Sequence, residues 1–259
     1  MNVHNYLDEV LVLNAPTLIN KDKFIEKYCS TEHEDLTLNN ITKNIQNSNA
    51  DIADELNAAL ANTGHTFRYK ININKFNNYY SMWFKHLLKK AGLPHNNIVA
   101  HASLKKLQPK SHKVHTDSDN SFGNSHNVIC RFLIPLSDGE PTCYFDKCME
   151  DNKFYTRIGK HQFSVTCELN EIHNVDIKYL YDMKTKEPVE ITEEYPDYDK
   201  LTHIKKSCLA GLKVHKIVNW KHGQIQLFPF NILHSSTDFD NIKEKWMING
   251  VLYDQKIKR

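Results

Sequence analysis

Apolar residues recur at helical spacing through the first third of the chain and in short bounded runs through the rest. That change of period divides the sequence near residue 95. From Lys21 to about Ala91 the pattern reads helical. Ile41, Ile45, Ile52, Leu56 and Leu60 repeat at steps built from three and four, interrupted by Thr42 and Asn47 to Asn49. Tyr79, Met82, Trp83, Leu87 and Leu88 form an apolar stripe over Asn78 to Leu88. The aromatics Tyr79, Tyr80, Trp83 and Phe84 have the makings of a base-stacking platform, but their helical spacing favours a helix buttressing a sheet. Gly92-Leu93-Pro94 breaks the pattern.

Beyond the break the runs are short and β-like: Val99 to Leu107, Asn127 to Leu136, Thr142 to Phe145, Ile225 to Phe228 and Lys245 to Tyr253. Val128, Ile129, Phe132, Leu133 and Ile134 are nearly continuous, as in a strand covered on both faces. Turn signals such as Ser137-Asp138-Gly139-Glu140 between short strands argue for a sandwich or barrel, and a jelly roll is the economical choice. In residues 147–218 the pattern predicts strands at Ile172 to Tyr181 and Val189 to Thr192, a turn at Tyr195 to Asp199 and a short helix from Leu201 to Leu212 closing at Gly211. The expected architecture is α+β but mainly β. A helical support region over residues 1–95 precedes a jelly-roll core over 96–259, into which 147–218 is inserted.

Composition narrows the classes only slightly. The 259 residues are 40% hydrophobic and 25% charged, with a net charge of +2, which gives no strong nucleic-acid signature. No run approaches the roughly 18 apolar residues of a membrane span. Asp8 and Glu9 precede the short apolar run near Leu13, which is wrong for a secretory leader, so a cytoplasmic protein is expected. The six cysteines lack CxxC spacing and are read as reduced thiols rather than disulfides or a zinc site.

The candidate chemistry lies at Val114-His115-Thr116-Asp117, together with His234. In a strand, residues two apart share a face. His115, Asp117 and a distant imidazole therefore suffice for the 2-His-1-carboxylate arrangement that leaves positions open on a non-heme Fe(II). Taken alone the His-x-Asp pair is weak: His112, Asp119 and His126 compete, and a polar strand end in solvent explains the same residues. The second cluster adds weight. A Gly turn at Trp220-Lys221-His222-Gly223, the apolar strand Ile225 to Phe228, Pro229, His234 and a cation about ten residues later follow in order.

At this point the chain resembles the Fe(II)- and 2-oxoglutarate-dependent dioxygenases, particularly the prolyl-hydroxylase-like branch. Its Asn- and Lys-rich composition is similar to that of phage-type proteins. The resemblance covers residues 98–259 without the insertion, and it implies a double-stranded β-helix with His115, Asp117 and His234 as iron ligands. It also implies that Lys245 is the cation for the far carboxylate of 2-oxoglutarate, with Lys243 as competitor. For either lysine a solvated surface charge is the alternative. Ser236 and Tyr144 are candidate donors to the co-substrate. Arg131 either faces the pocket or points outward, and Trp220 reads as core. The implied reaction is oxidative decarboxylation of 2-oxoglutarate with O2, coupled to hydroxylation, with ascorbate as an accessory reductant. Asp117 argues against halogenation. A protein or peptide side chain is slightly favoured as substrate. Lysine where arginine is commoner, and 119 residues between His115 and His234, depart from the family pattern. A cupin-like isomerase or sensor is the rival, and it would have no need of a buried Lys245. A purely structural β-sandwich is the third reading.

Overall fold

Two antiparallel sheets form the middle of the molecule, one covered by helices. The structure is a computed structural model and describes residues 6–14, 20–35, 65–107, 114, 128–149, 155–158, 161–164, 180–189, 194–197, 199–204, 206–237 and 245–255. The first sheet has seven strands. In chain order these are β1 (Leu11–Asn14), β2 (Cys29–Asp35), β3 (His65–Ile71), β4 (Ile98–Leu107), β5 (Val128–Pro135), β11 (Gln224–Phe228) and β13 (Lys245–Asp254). Side by side they run β1-β11-β5-β13-β4-β3-β2. The second sheet places β6 (Gly139–Met149) between β10 (Val214–Trp220) and β12 (Ile232–Ser236), with β9 (Leu180–Asp182) also paired to β6. A separate hairpin joins β7 (Tyr155–Ile158) to β8 (His161–Ser164).

Among the described residues two helices lie on the outer face of the large sheet, α1 (Lys21–Tyr28) and α2 (Ile73–Lys90). Each begins at an asparagine whose side chain caps it. Asn20 accepts from the Lys23 N–H and Asn72 from the Lys75 N–H, both at 3.0 Å, satisfying donors that the first turn leaves unpaired. Asn77 ties α2 to the sheet, donating to the Ala100 carbonyl at 3.0 Å and accepting from its N–H at 2.9 Å. Ala100 lies beyond the stretch of β4 that pairs with β3, so the asparagine amide stands in for a strand there.

The buried face of α2 is not the expected stripe. Phe76, Tyr80, Phe84, Leu87 and Leu88 are buried, whereas Tyr79 and Met82 are 53% and 72% exposed. The doublets Tyr79-Tyr80 and Trp83-Phe84 offer two faces one residue apart. Selection falls on the one that lets Phe76 and Phe84 pack on Phe132 of β5, with ring centroids 6.5 and 4.9 Å away. The helix is nonetheless a buttress to a sheet.

The helical reading of residues 21–91 is corrected at both ends of its middle section, because Cys29–Asp35 and His65–Ile71 are strands. In β3 the alternation of Phe67, Tyr69 and Ile71 with Arg68 and Lys70 has period two, not 3.6. The helix expected over Ile41 to Leu60 lies outside the described residues. Further along, Leu201 to Ile204 form turns rather than helix, followed by a single 3-10 turn at Lys206–Leu209. Burial of Leu201, Ile204, Leu209 and Leu212 against the second sheet holds that irregular segment in place. The β6 strand runs on through Met149 and β10 begins at Val214, so both ends of the 147–218 span belong to the second sheet.

Every residue of β5 is buried, and the two cores explain why. Cys130, Phe132 and Ile134 meet the helices, while Leu133 joins Tyr144, Trp220, Phe228 and Met247 between the sheets. A continuous apolar run is what a strand covered on both faces requires.

Candidate functional site

Strand register decides which side chains face the space between the sheets. On the large sheet Gln226 of β11 is paired with Leu133 of β5, Leu133 with Asn249 of β13, and Asn249 with Ser103 of β4. Cross-strand partners share a face, so this row of side chains points inward with Leu133. Ser103 donates to Asn249 Oδ1 at 2.8 Å. Two residues along, Phe228, Arg131, Val251 and His101 form the next inward row. On the opposing sheet His234 is paired with Tyr144, and Ser236 with Thr142. Arg131, Thr142, Gln226, His234, Ser236 and Asn249 are all buried, which makes the interior unusually polar for the gap between two sheets.

His234 is held in one ring orientation and one tautomer. Its Nδ1 lies 3.0 Å from the Ile232 carbonyl. A carbonyl oxygen only accepts, so Nδ1 carries the proton and the neutral ring has its lone pair on Nε2. Fixing the tautomer through the other ring nitrogen is how metal-binding imidazoles are oriented. The rings of Tyr144 and Phe228 stand at 5.7 and 5.6 Å and fix the plane of the imidazole. His115, Asp117 and Lys243 lie outside the described residues. Val114, immediately before His115, is buried in the same cluster as Leu233, immediately before His234. Among the described residues no group of three metal-binding side chains comes together.

Lys245 is the other unusual group. Though first in its strand, it is only 2% exposed, so it is no surface charge. Its ammonium donates to the Glu140 carbonyl at 2.8 Å and lies 4.5 Å from the centre of the Trp220 ring. Gly139 makes this possible: a Cβ there would stand 2.7 Å from Lys245 Cε and 2.8 Å from Trp220 Cδ1. Burial pushes the ammonium down to about 7, with the Glu140 carboxylate opposing that in part. Along β6, Glu140 is four residues from Tyr144, the partner of His234. That is roughly 13 Å of strand.

The depressed lysine has a consequence for stability. Unfolded, Lys245 keeps its proton up to about pH 10.4, whereas the folded protein releases it near 7. The unfolded chain therefore binds more protons between those values, and stability rises with pH across that window. Urea unfolding of the wild type and Lys245→Met from pH 6.5 to 10 should show their difference shrinking as pH rises, at a slope approaching about 1.4 kcal/mol per pH unit.

The remaining candidates are placed as follows. Arg131 is 6% exposed and faces inward, and Ser236 is buried beside Thr142. Tyr144 is fully buried and its hydroxyl donates to Gln226 Oε1 at 2.6 Å. Among the described residues four buried side-chain donors have no hydrogen-bond partner, the hydroxyls of Tyr28 and Tyr253 and, between the sheets, Gln226 Nε2 and Trp220 Nε1. Sequence reasoning passed over Gln226 entirely. Its signal was a polar residue inside the apolar run Ile225 to Phe228.

The N–H groups of Gln226 and Trp220 that have no acceptor, with a desolvated ammonium bound to one carbonyl, form a donor set that a molecule rich in acceptor oxygens would complete. 2-Oxoglutarate fits that donor set. No protein-family model matches the chain, and no curated protein is similar to it in sequence. Among solved structures it is similar in shape to HygX from Streptomyces hygroscopicus, crystallised with nickel, 2-oxoglutarate and hygromycin B. The identity is 10% over 95% of this chain and 83% of that one, with a TM-score of 0.38. Iron-bound HygX matches at 9% identity over 92% and 88%, with a TM-score of 0.37. SnoK, a non-heme alpha-ketoglutarate-dependent carbocyclase of nogalamycin biosynthesis, matches at 12% identity over 91% and 84%, with a TM-score of 0.36. These likenesses are distant, and the chemistry rests on the residues themselves. No helix among the described residues is long and apolar enough to cross a membrane.

Proposed function

We propose that this protein is an Fe(II)- and 2-oxoglutarate-dependent oxygenase that hydroxylates a protein or peptide side chain. His115, Asp117 and His234 would hold the iron and Lys245 would bind the far carboxylate of the oxo acid. The observation that carries the reading is the buried ammonium of Lys245 on the same interior as an imidazole whose tautomer is preset for ligation. A cupin-like isomerase or sensor has no use for such a lysine, which costs stability wherever it is charged. The fold is read as a double-stranded β-helix because β4, β13, β5 and β11 lie side by side facing β12, β6 and β10, all antiparallel.

Bound iron would supply the oxygen chemistry, coupling decarboxylation of the oxo acid to attack on a C–H bond. The chain's own part is orientation and exclusion of water. Ile232 fixes the imidazole, Phe228 and Tyr144 flank it, and Lys245 sets the direction of the dicarboxylate.

Anaerobic titration with Fe(II) and then 2-oxoglutarate, followed by the visible charge-transfer absorption of the chelate, tests this. Wild type should develop the band. His234→Ala should lose metal affinity by more than the roughly 10–100-fold that removal of an outer partner costs. Equal metal binding by the two proteins would overturn the assignment.

A further inference from the structure

Gln226 is fully buried, and only one end of its amide is satisfied. The Tyr144 hydroxyl reaches across the gap between the sheets to donate to Oε1, while Nε2 has no acceptor. An unpaired buried donor destabilises a protein appreciably, and an apolar residue would sit in β11 without that penalty. The amide also lies beside the candidate site. Tyr144 is the cross-strand partner of His234, and Phe228, two residues along from Gln226, packs against the His234 ring. In the same inward row, Asn249 Oδ1 already takes the Ser103 proton.

We propose that Gln226, anchored by Tyr144, is a binding residue for the oxo acid, its Nε2 donating to an oxygen of bound 2-oxoglutarate. The inference rests on the oxygenase reading above. It moves to Gln226 the donor role expected of Tyr144. Carboxylate and ketone oxygens only accept, and the single phenolic proton of Tyr144 is committed to Oε1. Anchoring selects as well as binds. With Oε1 taken, the amide presents N–H to the interior, favouring ligands that bring acceptors there over ligands that bring donors.

The test is calorimetric titration of 2-oxoglutarate into the Mn(II)-loaded protein, with no turnover involved. The double variant Tyr144→Phe/Gln226→Met removes both members of the pair in favour of apolar groups of similar shape, a change that is often close to neutral for stability. It should melt near wild type and bind Mn(II) equally well, yet its Kd for 2-oxoglutarate should rise about tenfold or more. Tyr144→Phe alone should produce a smaller rise, because the amide remains but is no longer anchored. Gln226→Glu keeps an acceptor for Tyr144 while replacing the free donor with an acceptor. It should weaken binding at least as much, and it serves if the double variant fails to fold. An unchanged Kd in folded variants overturns the role of Gln226 and leaves the oxygenase reading standing. Failure of the Mn(II)-loaded wild type to bind 2-oxoglutarate at all overturns both.

Discussion

Lys245→Met should make the unliganded protein more stable while reducing its affinity for 2-oxoglutarate by roughly 100-fold or more. The two effects have one cause. The ammonium is buried against a carbonyl and an indole face, with burial lowering its pKa to about 7. Methionine is unbranched and polarizable and fits the same slot between Gly139 and Trp220 without the desolvation penalty. Replacing buried ionic groups by apolar residues of similar volume is often neutral or stabilising, by up to about 4 kcal/mol for a whole ion pair. Loss of the bond to Glu140 offsets part of that gain. In the complex the balance reverses, because removing one member of a desolvated ion pair costs about 2–5 kcal/mol. Affinity should also depend on pH. Bound carboxylate favours the protonated lysine, so above about 7 the complex must take up a proton and binding weakens as pH rises. Thermal melts and calorimetry on the two proteins check both effects. A variant that loses stability and affinity together would make Lys245 a strut for the Glu140 carbonyl rather than a seat for an anion.

Such a lysine was legible in the sequence by position but not by environment. Its distance from His234 marked it, yet nothing local distinguishes a buried Lys245 from a surface charge. The glycine and tryptophan that enclose it come from β6 and β10, more than twenty residues away. The same division holds across the fold. Strands β5, β11 and β13 were readable because burial on both faces leaves a mostly apolar run, broken only by a few inward polar residues such as Arg131, Gln226 and Asn249. By contrast, β10 shows only Val218 and Trp220 buried in seven residues, and its pairing with β6 decides what its composition leaves open. The α2 helix was readable in extent but not in face, because adjacent aromatic doublets satisfy two stripes and only Phe132 selects between them. Local pattern reports period and burial. Tertiary partners decide polarity inside the gap, which is why Gln226 passed unnoticed between Ile225 and Leu227.

Gly250→Ala should destabilise the protein by roughly 3 kcal/mol or more, the upper range for overpacking, and lower Tm by roughly 6–12 °C for a chain of this size. A Cβ at this position would meet the His101 carbonyl oxygen at 2.1 Å and the Phe132 ring at 2.6 Å. Neither neighbour can yield. The carbonyl belongs to β4, whose pairing with β13 continues in register from Ile98 to Leu107. The Phe132 ring is confined by Phe76 and Phe84 of α2 on the side away from the strand. Glycine here lets an aromatic ring cross the backbone of β13, so that helix, β5 and β13 close on one another without a gap. Gly139→Ala makes an instructive contrast. Its nearest conflict is with Lys245 Cε, part of a flexible stem, and with the edge of Trp220. That variant should lose less stability than Gly250→Ala but more affinity for 2-oxoglutarate, because the displaced group is the ammonium and not the core. Equal melting temperatures for wild type and Gly250→Ala would mean that the contact between Phe132 and β13 is looser than the packing requires. An unaltered 2-oxoglutarate affinity in Gly139→Ala would separate Lys245 from the binding of the oxo acid.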